Sequence, residues 1–274
     1  MKIERNAIYN VDCLDAFPFV GDSTVDMVLC DLPYGILDKK NEHTKWDIKI
    51  PFEPLWAHYA RIIKKNGAIV LTCTHPFTKE LVNSIPKGFK YYEWIWYKSS
   101  GTSFLNAKKQ PIKQHENVIV VYREQPTYNP QKYKIDEKFI NKRIAKSKGN
   151  SGHHHTIRGK AAETYQYIDT GDRYPDTIIE INDVHDGESV LPFRSTWRKG
   201  MHPTEKPVDL FTYLIRTYTN QGELVLDNCI GSGTTAVASI LENRNFIGFE
   251  KEQSYYQDAL QRIQSAYDFV AQKQ

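Results

Sequence analysis

The chain has few cysteines: four in 274 residues, with no CxxC pair. Cys13, Cys30, Cys73 and Cys229 are scattered, which argues against a disulfide framework or a structural zinc site. A reducing, cytoplasmic setting is therefore expected. Long apolar runs are also missing. The longest are about five to seven residues, roughly a third of a membrane span. The opening Met1-Lys2-Ile3-Glu4-Arg5-Asn6 turns polar at once, so no secretory leader and no membrane partner are expected. Charge of one sign is scarce too, at a net +3 from 36 Lys and Arg against 33 Asp and Glu. That balance alone does not mark a nucleic-acid binder. With 40% apolar and 25% charged residues, the composition is that of a globular chain rather than a disordered one.

What is present is an alternation of short β-rich runs and helix-period segments. Strands are predicted at Ala7–Val11, Val25–Cys30, Ala68–Cys73, Glu93–Tyr97, Asn117–Tyr122, Leu224–Leu226 and Asn245–Phe249. Several are almost wholly apolar, as strands buried on both faces of a parallel sheet must be. Helical faces are predicted from Leu55, Tyr59, Ile62 and Ile63; from Val208, Phe211, Ile215 and Tyr218; and from Tyr256, Ala259, Leu260, Ile263, Tyr267 and Val270. Asn66-Gly67 reads as the stop of the first helix. The pattern implies an α/β fold with a mostly parallel, doubly wound sheet. Glu93–Tyr97 and Asn117–Tyr122 have no helix between them, so an antiparallel pair at a sheet edge is expected there.

From about Glu124 to Lys199 the pattern breaks and the chain turns polar. Between Lys132 and Lys160 nine basic residues stand against two acidic ones. Tyr128, Tyr133, Phe139, Tyr165 and Tyr167 are interleaved with or flank this stretch, as aromatics that stack on bases would be. A structureless loop of this length is unusual in a compact domain, so an inserted region is expected. The expected organisation is residues 1–123 and 200–274 as two halves of one domain, with 124–199 inserted between them. His153-His154-His155 reads as a polar loop, and no metal is expected, because adjacent residues rarely converge on one ion.

Three constellations carry chemistry. Leu226 to Ala236 place Gly231-Ser232-Gly233 between a strand and a helix, where glycine permits close backbone approach to a ligand. Glu250 ends the next strand, 17 positions after Gly233, and a carboxylate there can accept both hydroxyls of a ribose. Together they point to a nucleoside-bearing cofactor; no Lys follows the second glycine, so this is not a phosphate loop of the P-loop type. Asp31-Leu32-Pro33-Tyr34-Gly35 sets a carboxylate, a rigid turn and a ring at the carboxyl end of a strand, where open α/β sheets bind ligands. An ordinary strand-ending turn would use the same residue types. His202-Pro203-Thr204-Glu205-Lys206-Pro207 reads as a capped helix start, and its amides and Lys206 would also suit a carboxylate ligand.

Taken together and in this order, these segments resemble the β-class amino-methyltransferases of DNA, which use S-adenosylmethionine. In that family an Asp/Asn/Ser-x-Pro-Tyr motif precedes a target-recognition region, a His-Pro-Thr-x-Lys-Pro segment and an Asp-x-x-x-Gly-x-Gly-Thr loop. Here the counterparts are Asp31–Tyr34, the basic insertion, His202–Pro207 and Asp227–Thr234, so the likeness spans nearly the whole chain. Asn10–Leu14, Trp96–Lys98 and His115–Asn117 resemble further family landmarks. Leu32 replaces a proline usual in the family, and Asn228-Cys229 replaces Pro-Phe.

The resemblance implies a Rossmann-like methyltransferase sheet with permuted motif order and methyl transfer to an exocyclic amino group. Asp31 would accept one N–H of that group, the carbonyl of Leu32 or Pro33 the other, and Tyr34 would stack on a flipped base. C5-cytosine chemistry would need a Pro-Cys nucleophile, which is absent. An Asp-led motif looks more like the adenine-N6 members, with cytosine N4 as the alternative and an RNA or protein substrate a further rival. A nicotinamide oxidoreductase would leave Asp31–Tyr34 and His202–Pro207 unexplained. The implied cofactor residues are Asp12, Cys13, Asp31, His202, Thr204, Lys206, Asp227, Asn228, Cys229, Gly231, Gly233, Thr234 and Glu250. Within this set Glu250 would take the ribose, the amides of Ile230–Gly233 would approach the methionine part, and Lys206 would hold its carboxylate. Lys108, Lys109, Lys142, Arg143, Arg158, Arg194 and Arg198 are expected to face DNA, with binding that weakens with salt. A partner restriction endonuclease and a homodimer are expectations of the same kind.

Overall fold

The computed structural model describes residues 1–37, 44, 46–102, 106–140, 170–180 and 206–273. Its main sheet has eight strands. In chain order they are β1 (Ala7–Asn10), β2 (Val25–Asp31), β3 (Ile63–Cys73), β4 (Lys90–Thr102), β5 (Lys113–Tyr122), β8 (Ile178–Glu180), β9 (Leu224–Asp227) and β10 (Asn245–Glu250). Two short strands, β6 (Tyr133–Lys134) and β7 (Asp172–Arg173), pair separately and antiparallel. The spatial order is β1-β10-β9-β2-β3-β5-β4-β8. Pairing is parallel from β1 through β3, antiparallel at β3–β5 and β5–β4, and parallel again at β4–β8.

The strands are apolar because both faces are covered. Along β2, Met27 and Leu29 point to one face while Val28 and Cys30 point to the other, and all four are buried. The first face packs on α4 (Val208–Tyr218), α5 (Thr234–Leu241) and α6 (Gln253–Ala271). The second packs on α1 (Cys13–Ala16), α2 (Phe52–Ile62) and α3 (Phe77–Ser84). Emptying one such position, as in Leu29→Ala, costs about 2–5 kcal/mol.

The chain divides into two contact units. Met1–Asn129 and Thr177–Gln274 form one, and Pro130–Asp176 form the other. In the second unit β6 and β7 are extended by a bond from the Ile135 amide to the Gly171 carbonyl, and Lys132 lies over the Tyr174 ring.

Four local expectations are corrected. The helix expected to stop at Asn66-Gly67 ends at Ile62, and both residues lie inside β3. Gly67 is there for a close approach: a Cβ on it would come 2.8 Å from the Asp26 carbonyl oxygen. The antiparallel pair β4–β5 exists but is not the edge, because β8 adds outside it. Those three residues come from the polar stretch expected to lie wholly in the insertion. On α6, Leu260 and Tyr267 are exposed and the buried stripe is Ala259, Ile263 and Ala266.

The strand order sets the site. β2 and β9 are neighbours, with Met27 opposite Val225 and Val28 opposite Leu226. From β2 the chain goes to one side of the sheet, and from β9 it goes to the other through β10 to β1. Such a reversal opens a crevice at the carboxyl ends of the strands. Asp31, Asp227, Glu250 and the Val11-Asp12 turn after β1 all fall at that edge.

Candidate active site

One pocket collects the residues at this edge. Its lining includes Val11, Asp12, Cys13, Asp31, Pro33, Trp46, Lys206, Phe211, Asp227 to Ser232, Thr234, Phe249, Glu250 and Tyr255. Segments about two hundred residues apart in sequence therefore share one cavity. Most residues expected at the site and described by the structure are in it.

Asp31 ends β2 and is a quarter exposed, at 25%. Its Oδ1 accepts from the Tyr34 hydroxyl at 2.6 Å and from the Thr72 hydroxyl on β3. Its Oδ2 accepts from the Lys206 ammonium at 2.5 Å. The Tyr34 ring stacks on Phe77, 5.2 Å between centroids. Burial, with the charges of Asp31 and Glu116, holds the Tyr34 hydroxyl protonated well above its ordinary range. Tyr34 is thus a donor to Asp31. The loop after the motif is pinned by Asp47, whose carboxylate accepts from the amides of Gly35, Ile36 and Leu37 at 2.7–2.8 Å. Leu32 turns away into the core while Pro33 lines the pocket. The replacement of a proline at 32 therefore leaves the pocket surface unchanged.

Lys206 lies differently from the expectation. Its side chain is only 6% exposed, and its ammonium pairs with Asp31 and approaches Glu116 Oε2 at 3.5 Å. Those two carboxylates outweigh the desolvation of the ammonium and raise its pKa.

On the other side of the pocket, Glu250 is fixed by backbone. Its Oε2 accepts from Gly231 N at 2.9 Å and its Oε1 from Glu252 N at 2.8 Å. Burial raises its pKa. Each carboxylate oxygen has about two acceptor directions, so two remain for a ligand's hydroxyls. Asp12 caps α1 by accepting from Leu14 N. Asp227 is buried under the loop: its oxygens accept from Cys229 N at 3.0 Å and from the Thr235 hydroxyl. Burial pushes its carboxyl up to about 7. It forms floor rather than a free ligand.

The loop amides are a second departure. Ile230 N donates to Phe249 O, Gly231 N to Glu250, and Gly233 N to Ile230 O. Three of the four amides expected to meet a cofactor are thus used in shaping the loop. Gly233 caps α5 in the left-handed region, at φ 89°, and a Cβ there would sit 3.1 Å from the Ala259 Cβ. Arg262 on α6 donates to the Ser232 carbonyl and hydroxyl and to Thr234.

Asn228 and Cys229 have a compensating partner. The Tyr59 hydroxyl donates to Asn228 Oδ1 at 2.5 Å, and Asn228 Nδ2 reaches the sulfurs of Cys13 and Cys229. Cysteines far apart in sequence thus meet in the pocket wall. The hydrogen bond with Cys229, and then burial, push the Cys13 thiol far up, and burial pushes Cys30 up to about 12, so both stay protonated.

Lys108 and Lys109 are exposed and do not line the pocket. His202, Thr204, Lys142, Arg143, Arg158, Arg194, Arg198 and His153–His155 lie outside the described residues. Thr72, Asp47, Glu116, Trp46 and Arg262 are not among the site residues expected from sequence; Glu116 lies in the His115–Asn117 landmark and Trp46 and Asp47 follow the Asp31–Gly35 turn, whereas Thr72 and Arg262 reach the site from segments that carry no local motif. Among the described residues no cluster of His, Cys, Asp and Glu is arranged to hold a metal ion, and no helix is long and apolar enough to cross a membrane.

The structure is an α/β fold with one pocket at the carboxyl ends of its parallel strands and an acidic turn beside it. A family model described as DNA methylase, covering the N6 and N4 amino-methyltransferases, matches residues 25–261, and the chain belongs to that family. It is 25% identical to the DNA adenine methyltransferase YhdJ of Escherichia coli (strain K12) over 284 residues, covering 98% of this chain and 86% of that one. The cytosine-N4-specific PvuII DNA methyltransferase superposes with a TM-score of 0.63 at 16% identity, covering 98% and 93% of the two chains. The M1.HpyAVI–SAM complex superposes with a TM-score of 0.57 at 21% identity, covering 93% and 98%.

Proposed function

We propose that this DNA methyltransferase transfers a methyl group from S-adenosylmethionine to N6 of adenine in DNA. The observation that carries the reading is the sharing of one pocket by Asp31, at the end of β2, and Glu250, at the end of β10. The pocket suits the cofactor. Glu250 and Asp12 supply acceptors for hydroxyl and amino groups, and Val11, Ile230 and Phe249 supply an apolar wall. When bound, S-adenosylmethionine supplies an electrophilic methyl group.

An exocyclic amine is a weak nucleophile because its lone pair is delocalised into the ring. Asp31 accepts one N–H and draws the nitrogen toward tetrahedral geometry. The carbonyl of Leu32 or Pro33 accepts the other. The lone pair is then free for in-line attack, and no covalent enzyme intermediate is needed. Three donors already hold the Asp31 carboxylate, so it meets the amine without reorganising. Tyr34, braced by Phe77, offers a ring to a base taken out of the duplex.

Adenine is favoured by the Asp-led motif and by the likeness to YhdJ along nearly the whole chain. DNA contact is assigned to the basic stretch Lys132–Lys160, from its charge. The test is transfer of labelled methyl to DNA followed by nucleoside analysis. N6-methyladenine is the expected product. N4-methylcytosine would replace the base assignment, and label only in RNA or protein would overturn the reading.

A further inference from the structure

Behind the Asp31 carboxylate stands a row of charges, of which the methyl-transfer scheme above uses only the end nearest the substrate. Asp31, Lys206, Glu116 and Lys98 alternate in sign. Lys206 Nζ lies 2.5 Å from Asp31 Oδ2 and 3.5 Å from Glu116 Oε2, and Glu116 Oε1 is ion-paired with Lys98. All but Asp31 are largely buried, with side-chain exposures of 6% for Lys206, 12% for Glu116 and 17% for Lys98. Glu116 Oε2 is buried and has no hydrogen-bond partner, and the Lys206 ammonium lies 3.5 Å from it. The four residues come from the end of β2, the segment before α4, β5 and β4.

Buried ions are expensive unless paired, and a row of four with no net charge meets that condition. Its geometry has a directional result. Lys206 occupies Oδ2 of Asp31 while Tyr34 and Thr72 occupy Oδ1. The carboxylate plane is thereby fixed from both ends. Of its roughly four acceptor directions, three are filled and one is left for a substrate N–H.

We infer that Lys206 is a positioning residue for the Asp31 carboxylate, not a ligand of the cofactor, and that Glu116 acts through Lys206 by holding its ammonium in place. The inference rests on the reading of Asp31 as the catalytic carboxylate. In this arrangement Asp31 stays an ionised acceptor locked in one orientation. Lys98 neutralises the far oxygen of Glu116, so that Glu116 does not pull Lys206 away from Asp31.

The test separates cofactor binding from chemistry. In Lys206→Gln the single-turnover methyl-transfer rate at saturating S-adenosylmethionine and DNA should fall about 100-fold, the range seen when one preorganised electrostatic partner is lost. Cofactor affinity, measured by calorimetry without DNA, should stay within about threefold. Lys206→Arg, which keeps the charge, should recover part of the rate. Glu116→Gln should lower the rate about tenfold alone and add less than about twofold in the Lys206→Gln background, because residues acting as one unit are non-additive. If Lys206→Gln does not fold, Glu116→Gln carries the same comparison of rate against affinity. A tenfold or greater loss of cofactor affinity with the saturated rate intact would overturn the inference and return Lys206 to the cofactor. Additive effects of the two substitutions would also overturn it. Asp31→Ala is the control. If it is inactive while the Lys206 and Glu116 variants keep full rate, only the inference fails; if it is active, the reading of the site fails.

Discussion

At the end of β2 the Asp31 carboxylate rests on three side chains, from positions 34, 72 and 206. At the ends of β9 and β10 the Asp227 and Glu250 carboxylates rest mainly on backbone amides, at 229, 231 and 252. The first site has a buried cation beside it, and the second has none among these bonds. Burial accordingly raises the carboxyl pKa values at the second site. Side-chain support is adjustable and sums charges from distant segments. Backbone support is local and comes with the shape of the loop. The side proposed to handle the reacting nitrogen is therefore held by charge, and the side proposed to hold the nucleoside is held by fold.

The largest effect expected from breaking this contrast is at Asp31. Asp31→Ala should lower methyl transfer by about 1,000-fold or more, since it removes the acceptor and strands Lys206, while cofactor affinity stays within a few fold. Rate and calorimetry on one preparation check it. Next is Glu250→Ala, which should weaken S-adenosylmethionine binding about 10- to 100-fold and leave the rate at saturating cofactor within a few fold. A variant that binds normally and turns over slowly would put Glu250 on the wrong side of the comparison.

Asp227 offers a pH test with a definite sign. Its carboxyl is raised from the ordinary 3.8 to about 7 by burial. Between those values the unfolded chain has released the proton and the folded chain has not. Stability therefore falls as pH rises from about 4 to about 7, at up to about 1.4 kcal/mol per unit, and then levels. Asp227→Asn removes this component, so the variant should gain stability relative to wild type as pH rises through that window. Urea unfolding of the cofactor-free protein at pH 5.0 and 7.5 measures it, and parallel curves would refute it.

The smallest effect is expected at Asp47, a backbone-held carboxylate on the side-chain-held side of the pocket. Asp47→Ala frees the amides of Gly35, Ile36 and Leu37 and should cost about 2 kcal/mol. Thermal unfolding measures that loss, and a change in melting temperature too small to resolve would mean that water satisfies those amides.

The same contrast explains what was legible in the sequence. The glycine loop, Asp227 and Glu250 lie in one short segment, with a strand before it, a helix inside it and a strand after it. Asp31, Pro33 and Tyr34 are likewise contiguous. Lys206 was singled out, but its partner lies 175 positions away, and nothing local distinguishes an ion pair with Asp31 from a contact with a ligand. Thr72 sits within a strand whose apolar pattern is all that a sequence displays, and the His115–Asn117 landmark marks Glu116 without disclosing its partner Lys206. The three residues of β8 were hidden in a polar stretch, and Asn66-Gly67 looks like a helix stop whether a helix or a strand surrounds it.

Sequence by itself determined the alternation of buried strands and amphipathic helices, the two local motifs, and the concentration of positive charge in Lys132–Lys160. Each follows from chemistry within a few residues: apolar period, turn geometry and net charge. Only the tertiary structure decided that β2 and β9 are neighbours, which brings the two motifs to one pocket. It also decided that Lys206 and Glu116 stand in line behind Asp31. Those arrangements depend on strand order and register, and they are set by the burial of the whole sheet rather than by any stretch of it.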